Sequence, residues 1–341
     1  MSTSTLLTDV AIIVLAAGAI WFGSGWLEEA SDRLASHYGL PQVVQGAVIA
    51  AVGSSMPELA TVVIAGLAGS LAIGVGGIVG SAIFNVLVIP GFAGLLTDDP
   101  IESNRTLVYK EAQFYMLAVS ALLITFALGV IYYPAGDGLS GTITRPLALL
   151  PLALYGLYVF IQYQDTADHV PGDDESGNAV DPGRQWLRLA AGLAVILLAV
   201  HFLVEAVSSL GMIFGVPEFL LGVTIVAGAT SLPDSLVSVR AARARRPVAS
   251  LANVLGSNTF DLLVAIPIGI LLVGEETIDF AMAVPMFGVL TTATIALFTV
   301  MRTDLTLSER EAVGLLGIYA LFVGWVVLET LDVAVDLLPN A

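Results

Sequence analysis

"GATSLPDS", residues Gly228 to Ser235, sets a proline and a carboxylate inside an apolar run of a chain that is 57% hydrophobic and only 12% charged. Proline inside a helix removes one backbone donor and clashes with the carbonyl four residues back. A charged side chain at mid-membrane costs ~2.5–3.5 kcal/mol or more. Three hydroxyl residues, Thr230, Ser231 and Ser235, surround the pair. Packing alone gives no reason to put all of these together in lipid.

The rest of the chain puts the stretch in a membrane. Over 341 residues the mean hydropathy is +0.91, and at ~20 residues per span the apolar segments divide into about ten helices. Gly, Pro and charge punctuation place them near residues 9–27, 43–66, 72–96, 109–131, 143–163, 186–208, 219–241, 250–273, 279–301 and 310–329. The expected fold is therefore an all-α polytopic membrane protein. A single soluble domain would leave far too much apolar surface exposed. The first span lacks the basic flank and cleavage site of a signal peptide and reads as a retained helix.

Several chemistries are excluded. Cysteine is absent and only His37, His169 and His201 are present, so thiolate sites and His-based metal cages are ruled out. His201 has no motif partner for a serine hydrolase, and with Glu205 it reads as an interfacial polar cluster. Net charge is −17, which speaks against nucleic acid. The acids gather in loops, above all "DTADHVPGDDESGNAVDP" (Asp165–Pro182), a solvated linker that with one lysine in the chain suits a halophilic host.

The basic residues orient the chain. With spans alternating, Arg145 alone falls on the N-terminal side, whereas Arg33, Arg105, Lys110, Arg184, Arg188, Arg240, Arg243, Arg245, Arg246, Arg302 and Arg310 fall on the other. The positive-inside rule makes that second side cytoplasmic and leaves both termini outside.

A shift of 176 residues superimposes the chain on itself without gaps from Glu29 to Val88. It pairs Glu29 with Glu205, Pro41 with Pro217, Ser55 with Ser231, Pro57 with Pro233, Gly80 with Gly256, Ser81 with Ser257, and Phe84 with Phe260. Glu58 meets Asp234, and Asn85 meets Asp261. Each unit holds five spans, an odd number, so the two halves cross the membrane in opposite senses, an arrangement that suits alternating access. The halves run over 1–163 and 185–341, with signature regions 43–96 and 219–273, and the acidic loop 164–184 joins them.

Both signature regions carry two oxygen-rich elements. "AAVGSSMPEL" (Ala50–Leu59) mirrors "VAGATSLPDS" (Val226–Ser235), and the prolines should free carbonyls near Gly53 and Ala229. "VGSAIFN" (Val79–Asn85) mirrors "LGSNTFD" (Leu255–Asp261), with Ser81 and Asn85, like Ser257 and Asp261, four apart on one helix face. Any one hydroxyl could simply bond back to its own helix. The carboxylates Glu58, Asp234 and Asp261 could not be so accommodated. Carbonyl, hydroxyl and carboxylate oxygens together are the ligands of hard cations.

These segments resemble the alpha repeats of the cation/calcium exchanger superfamily, closest to its prokaryotic sodium/calcium exchanger branch. The resemblance implies ion ligands at Ala51 (carbonyl), Ser54, Ser55, Glu58, Ser81 and Asn85, and at Ala227 (carbonyl), Thr230, Ser231, Asp234, Ser257 and Asp261. It implies that Glu58 and Asp234 bridge a central Ca2+, with Na+ in neighbouring sites, and that the first and sixth helices slide as a pair. Two departures stand out: Ser54 replaces the usual Thr, and Asp234 replaces the usual Glu. Asp at 234 and 261 is similar to the potassium-dependent sodium/calcium exchangers.

The expected function is therefore Na+/Ca2+ antiport across the cytoplasmic membrane in the direction of Ca2+ extrusion, with no enzymatic activity and no cofactor beyond the transported ions. Coupling to K+ or H+ and the oligomeric state are left open; a passive cation channel is the alternative of another class. Three ionised carboxylates carry −3, which three Na+ neutralise; one Ca2+ leaves −1 unless Asp261 takes a proton. An empty site at −3 resists crossing, which forces exchange over leak.

Overall fold

The computed structural model describes residues 3–38, 51–97, 100–105, 107–136, 139–167 and 181–330. Among them, eight helices are long and apolar enough to span a bilayer, and a bent pair makes a ninth. The chain is thus an all-helical, multi-pass membrane protein. The expected second span begins at 43; residues 39–50 lie outside the described residues, and its remainder appears as α2 (Ala51–Ser54) and α3 (Met56–Leu67). Gly39, Pro41, Gly46, His169 and most of the acidic loop also lie outside the described residues.

Two helices run past the ends that hydropathy assigns. α1 covers Thr3–His37 and, later in the chain, α7 covers Pro182–Phe214. Charged residues such as Glu29 and Arg33 end an apolar window, yet they are good helix formers and continue the backbone ladder into the interface. α7 starts where the Asp181 side chain accepts from the N–H groups of Gly183 and Arg184, with Pro182 at the first position, and stops at Gly215 with φ +68°. The two long helices pack together: a methyl on Gly192 would stand 2.7 Å from the Gly23 carbonyl oxygen. Glu29 is paired with Arg33 of its own helix and with Arg188 of α7 at 2.6 Å, and Ser209 donates to Asp9 at 2.7 Å.

The rest forms the body. After α3 come α4 (Leu71–Leu96), a π-helical turn at Leu107–Glu111 leading into α5 (Ala112–Tyr132), and α6 (Arg145–Ala167). Beyond α7, one rod consists of α8 (Glu218–Leu221), a π turn (Gly222–Val226) and α9 (Ala227–Thr230); it bends by 45° into α10 (Leu232–Arg243). A second rod consists of α11 (Pro247–Phe260), a π turn (Asp261–Ala265) and α12 (Ile266–Val273). α13 (Phe280–Arg302) and α14 (Glu309–Thr330) complete the chain.

Burial separates centre from rim. The apolar windows of α4 and of the Pro247–Val273 rod are each 89% buried, against 22% for α1, α6 and α14. These two central helices carry Ser81, Asn85, Ser257 and Asp261. α4 reaches the rod before α10 backbone to backbone: a methyl on Gly80 would come within 2.1 Å of the Val223 carbonyl oxygen, and one on Gly76 within 2.2 Å of that of Phe219.

Two antiparallel ribbons, absent from the all-α expectation, fasten the body outside the helices. β1 (Ile101–Glu102) pairs with β4 (Thr306–Leu307), and β2 (Ser140–Thr144) with β3 (Glu275–Asp279). Each ribbon ties a loop of the first half to a loop of the second. In β2 the alternation of Gly141 and Ile143 inward with polar neighbours spans only five residues, too short to stand out beside membrane-length apolar runs.

Candidate cation site

Both helix breaks fall at serine. Ser55 separates α2 from α3, and Ser231 separates α9 from α10. Pro57 and Pro233 therefore do not kink continuous helices; each sits at the second position of a new one, where a missing N–H costs little. Glu58 and Asp234 follow in the first turns, close to the positive ends of those helices. The local sequence thus places each carboxylate at a helix start buried in protein.

The repeats meet side chain to side chain. Ser81 Oγ lies 2.7 Å from Ser231 Oγ and 3.4 Å from Glu58 Oε1. Asn85 Nδ2 donates to Asp234 Oδ2 at 2.9 Å, and Ser55 Oγ to the Ser257 carbonyl at 3.4 Å. Ser54 and Ser257 lie alongside the Asp234 carboxylate, Ser55 alongside Asp261, and Thr230 alongside Glu58. Glu58, Asn85, Asp234 and Asp261 are all 1% exposed or less, so the cluster is closed to solvent.

Ten of the twelve expected ligands thus gather here through their side chains. The two carbonyl ligands stand differently. Ala51 opens α2, while the Ala227 carbonyl already accepts the Ser231 N–H at 3.0 Å and faces the Thr230 hydroxyl at 3.5 Å. Thr230 Oγ1 and Ser257 Oγ also bond back to their own helices, at Val226 and Val254, as isolated hydroxyls in helices do.

Five buried oxygens of this cluster have no hydrogen-bond partner among the described residues: Glu58 Oε2, Asn85 Oδ1, Asp234 Oδ1, and both oxygens of Asp261. Buried polar atoms are nearly always paired, and an uncompensated buried anion costs several kcal/mol. A cluster with surplus acceptors and no basic side chain is completed by a cation or a proton. No three His, Cys, Asp or Glu side chains among the described residues converge closely enough to hold a metal by themselves. The ligand set is instead mixed: carboxylate, amide and hydroxyl oxygens drawn from both halves.

Asn258 belongs to the cluster and was not anticipated from the sequence. Fully buried, it accepts from Asn85 at 3.0 Å and donates to the Ala82 carbonyl at 3.2 Å and the Tyr115 hydroxyl at 3.3 Å. A polar residue inside "LGSNTFD" was the available signal, but its repeat mate is Ala82, so comparison of the halves passes over it. His201 lies elsewhere: it is exposed on the interior stretch of α7, not at a helix end, 3.6 Å from Glu205. A separate cavity of about 200 Å³, lined by Ala72, Val75, Pro217–Phe219 and Glu276–Asp279, includes none of the cluster.

The sequence profile described as "Sodium/calcium exchanger protein" matches residues 8–164 and 184–328. The sodium/calcium exchanger MaX1 of Methanosarcina acetivorans is 24% identical over 280 residues, covering 73% of this chain and 79% of that protein. The sodium/potassium/calcium exchanger 3 of Rattus norvegicus is 37% identical over a shorter stretch of 93 residues, 27% of this chain and 15% of that protein. Among solved structures, the sodium-calcium exchanger NCX_Mj superimposes with a TM-score of 0.63 at 21% identity, covering 94% of this chain and 99% of the other. At that identity the likeness establishes the fold.

Proposed function

The chain belongs to the sodium/calcium exchanger protein family, and from that premise we propose that it exchanges Na+ for Ca2+ across the cytoplasmic membrane by alternating access, in the direction of Ca2+ extrusion. The observation that carries the reading is the set of five unpartnered buried oxygens on Glu58, Asn85, Asp234 and Asp261. Glu58 and Asp234 come from mirrored helix starts in the two halves and offer one free oxygen each to a shared Ca2+. Hydroxyls of Ser54, Ser55, Ser81, Ser231, Thr230 and Ser257 and the carbonyls of Ala51 and Ala227 complete the coordination of Ca2+ and Na+, whose preference is for oxygen.

In this reading ten spans form two inverted halves, 1–163 and 185–341, joined by the acidic segment 164–184 on the cytoplasmic side, with both termini outside. α1 and α7 move as the sliding pair, which is supported by their close backbone contact and shared ion pair. The acidic composition suits a halophilic host. An empty cluster keeps its charge in low dielectric and does not cross, whereas one filled by Na+ or Ca2+ does; that obliges exchange.

The test is Ca2+ flux into proteoliposomes under an imposed Na+ gradient with pH clamped. Wild type accumulates Ca2+ against its gradient, and Glu58→Gln or Asp234→Asn abolishes it. Uptake that persists in Glu58→Gln overturns the proposal; passive single-channel currents would identify a channel instead. One alternative coupling has a specific motive: Asp at 234 and 261, together with the local likeness to the sodium/potassium/calcium exchanger, favours adding K+. Flux with Na+ alone, Na+ plus K+, and a pH gradient separates the three couplings.

A further inference from the structure

Asn258 is the one buried amide of the cluster without a mirror image, since the 176-residue shift brings it onto Ala82. We propose that Asn258 is a positioning residue that fixes which end of the Asn85 amide faces the transported cations. The proposal rests on the cation site argued above. A side-chain amide can turn end for end at little cost in shape, exchanging an oxygen acceptor for an NH2 donor. In a cation site that choice decides whether the ion meets an oxygen or a hydrogen.

The orientation is dictated stepwise from a group that cannot reverse. The Ala82 carbonyl only accepts, and Asn258 Nδ2 stands 3.2 Å from it; the opposite orientation of Asn258 would oppose two acceptors. The Tyr115 hydroxyl takes a second bond from the same nitrogen at 3.3 Å. Asn258 Oδ1 is thereby committed to its other side, where it tolerates only a donor and meets Asn85 Nδ2 at 3.0 Å. The second hydrogen of that nitrogen goes to Asp234 Oδ2 at 2.9 Å. With both hydrogens spoken for, Asn85 Oδ1 is left buried without a donor. A backbone carbonyl of α4 thus sets, through Asn258, the polarity of a ligand one turn further along the same helix.

Asp234 alone also selects this orientation while it is an unliganded anion. Once a cation neutralises Asp234, that preference weakens, and Asn258 is what keeps the oxygen toward the ion. The asymmetry of the repeat follows from the same chemistry. Asp261, the mate of Asn85, has two equivalent oxygens and reads the same either way round, so it needs no pin, and the mate of Asn258 is alanine.

The experiment is a double-mutant cycle in equilibrium binding of Ca2+ and of Na+ to the purified full-length protein, with Asn258→Ala made in the wild type and in Asn85→Asp. A carboxylate at 85 is indifferent to rotation, so the second background removes the need for a pin while keeping the rest of the pocket. Expected is a loss of about ten-fold in cation affinity for Asn258→Ala in the wild type, the scale of one well-made buried hydrogen bond, and less than about two-fold in Asn85→Asp. Equal losses in both backgrounds, or none in the wild type, overturn the proposal, because a purely structural role of Asn258 is blind to residue 85. If Asn85→Asp binds neither ion, Asn85→Ala closes the same cycle with the same two outcomes. Failure of the wild type to bind Ca2+ would instead remove the site reading itself.

Discussion

Asn85 on α4 donates to Asp234 at the start of α10, joining at 2.9 Å two buried side chains that lie 149 positions apart. The repeat gives this contact a mirror image between Asp261 and Glu58. There neither side chain, while ionised, carries a hydrogen for the other, and three of the five unpartnered oxygens of the cluster belong to that pair. The Asn85–Asp234 side keeps the other two, Asn85 Oδ1 and Asp234 Oδ1, so both sides call for positive charge and the Asp261–Glu58 side calls for more.

Asp261→Asn should supply the missing donor. Relief of a buried unsatisfied acceptor is worth ~1–3 kcal/mol, so the ion-free protein should unfold at higher temperature than wild type. The stabilisation gained by adding Ca2+ or Na+ should shrink, because binding to the folded state alone is what raises the midpoint. Thermal unfolding in detergent with and without each ion measures both. An unchanged ion-dependent shift would show that Asp261 does not contribute to binding.

Close approach of α4 to the π turn at Gly222–Val226 makes Gly80 intolerant of any side chain. Gly80→Ala puts a methyl 2.1 Å from the Val223 carbonyl oxygen, an overpacking that costs ~1–3 kcal/mol or more. A sharp loss of monodisperse protein in size-exclusion chromatography is expected. Gly228→Ala, with nothing within 4 Å of the added atom, should behave as wild type and serves as the control.

The absence of cysteine makes crosslinking clean. A short thiol-reactive bridge between Glu29→Cys and Arg188→Cys joins α1 to α7 and, with the two helices sliding as the proposed pair, should leave most transport intact. A bridge between Leu27→Cys and Gly53→Cys, where a Cβ added to Gly53 would stand 3.5 Å from Leu27 Cδ2, ties α1 to α2 and should stop transport, with recovery on cleavage of the bridge. Arrest by both bridges, or by neither, contradicts the sliding pair.

Glu276 on β3 holds its proton to higher pH than a free glutamate, through burial and then the neighbouring charge of Glu218. The folded state consequently binds more protons than the unfolded chain above the ordinary value of 4.5. Its contribution to stability is complete below that pH and declines as pH rises through the raised pKa. Glu276→Gln should therefore lose less stability than wild type between pH 4.5 and neutrality, read as thermal midpoints across a pH series.

Much of the site was legible because mid-membrane carboxylates are costly and the 176-residue repeat shows them in pairs. Glu58, Asp234 and Asp261 stand out on those grounds without any structure. Asn258 did not, since its mate is apolar and a single Asn in a helix has many innocent uses. The Ala227 carbonyl, a ligand that the resemblance implies, stands inside a helical bond from the Ser231 N–H, which the motif alone does not reveal. The π turns at Gly222–Val226 and Asp261–Ala265 depend on hydrogen-bond register, which apolar periodicity does not encode. The ends of α1 and α7 were cut short because hydropathy measures lipid compatibility, whereas a helix continues through charged residues into the interface.

In the proposed site one cation completes oxygens from both halves at once. Crystals grown in saturating Sr2+, a Ca2+ substitute with a strong anomalous signal, test it most directly. The predicted result is a single dominant anomalous peak bonded to both Glu58 and Asp234, at roughly the 2.3–2.6 Å of calcium–oxygen ligation or slightly beyond. A peak on the acidic lining of Glu218, Glu276 and Asp279 with none between Glu58 and Asp234 would contradict it.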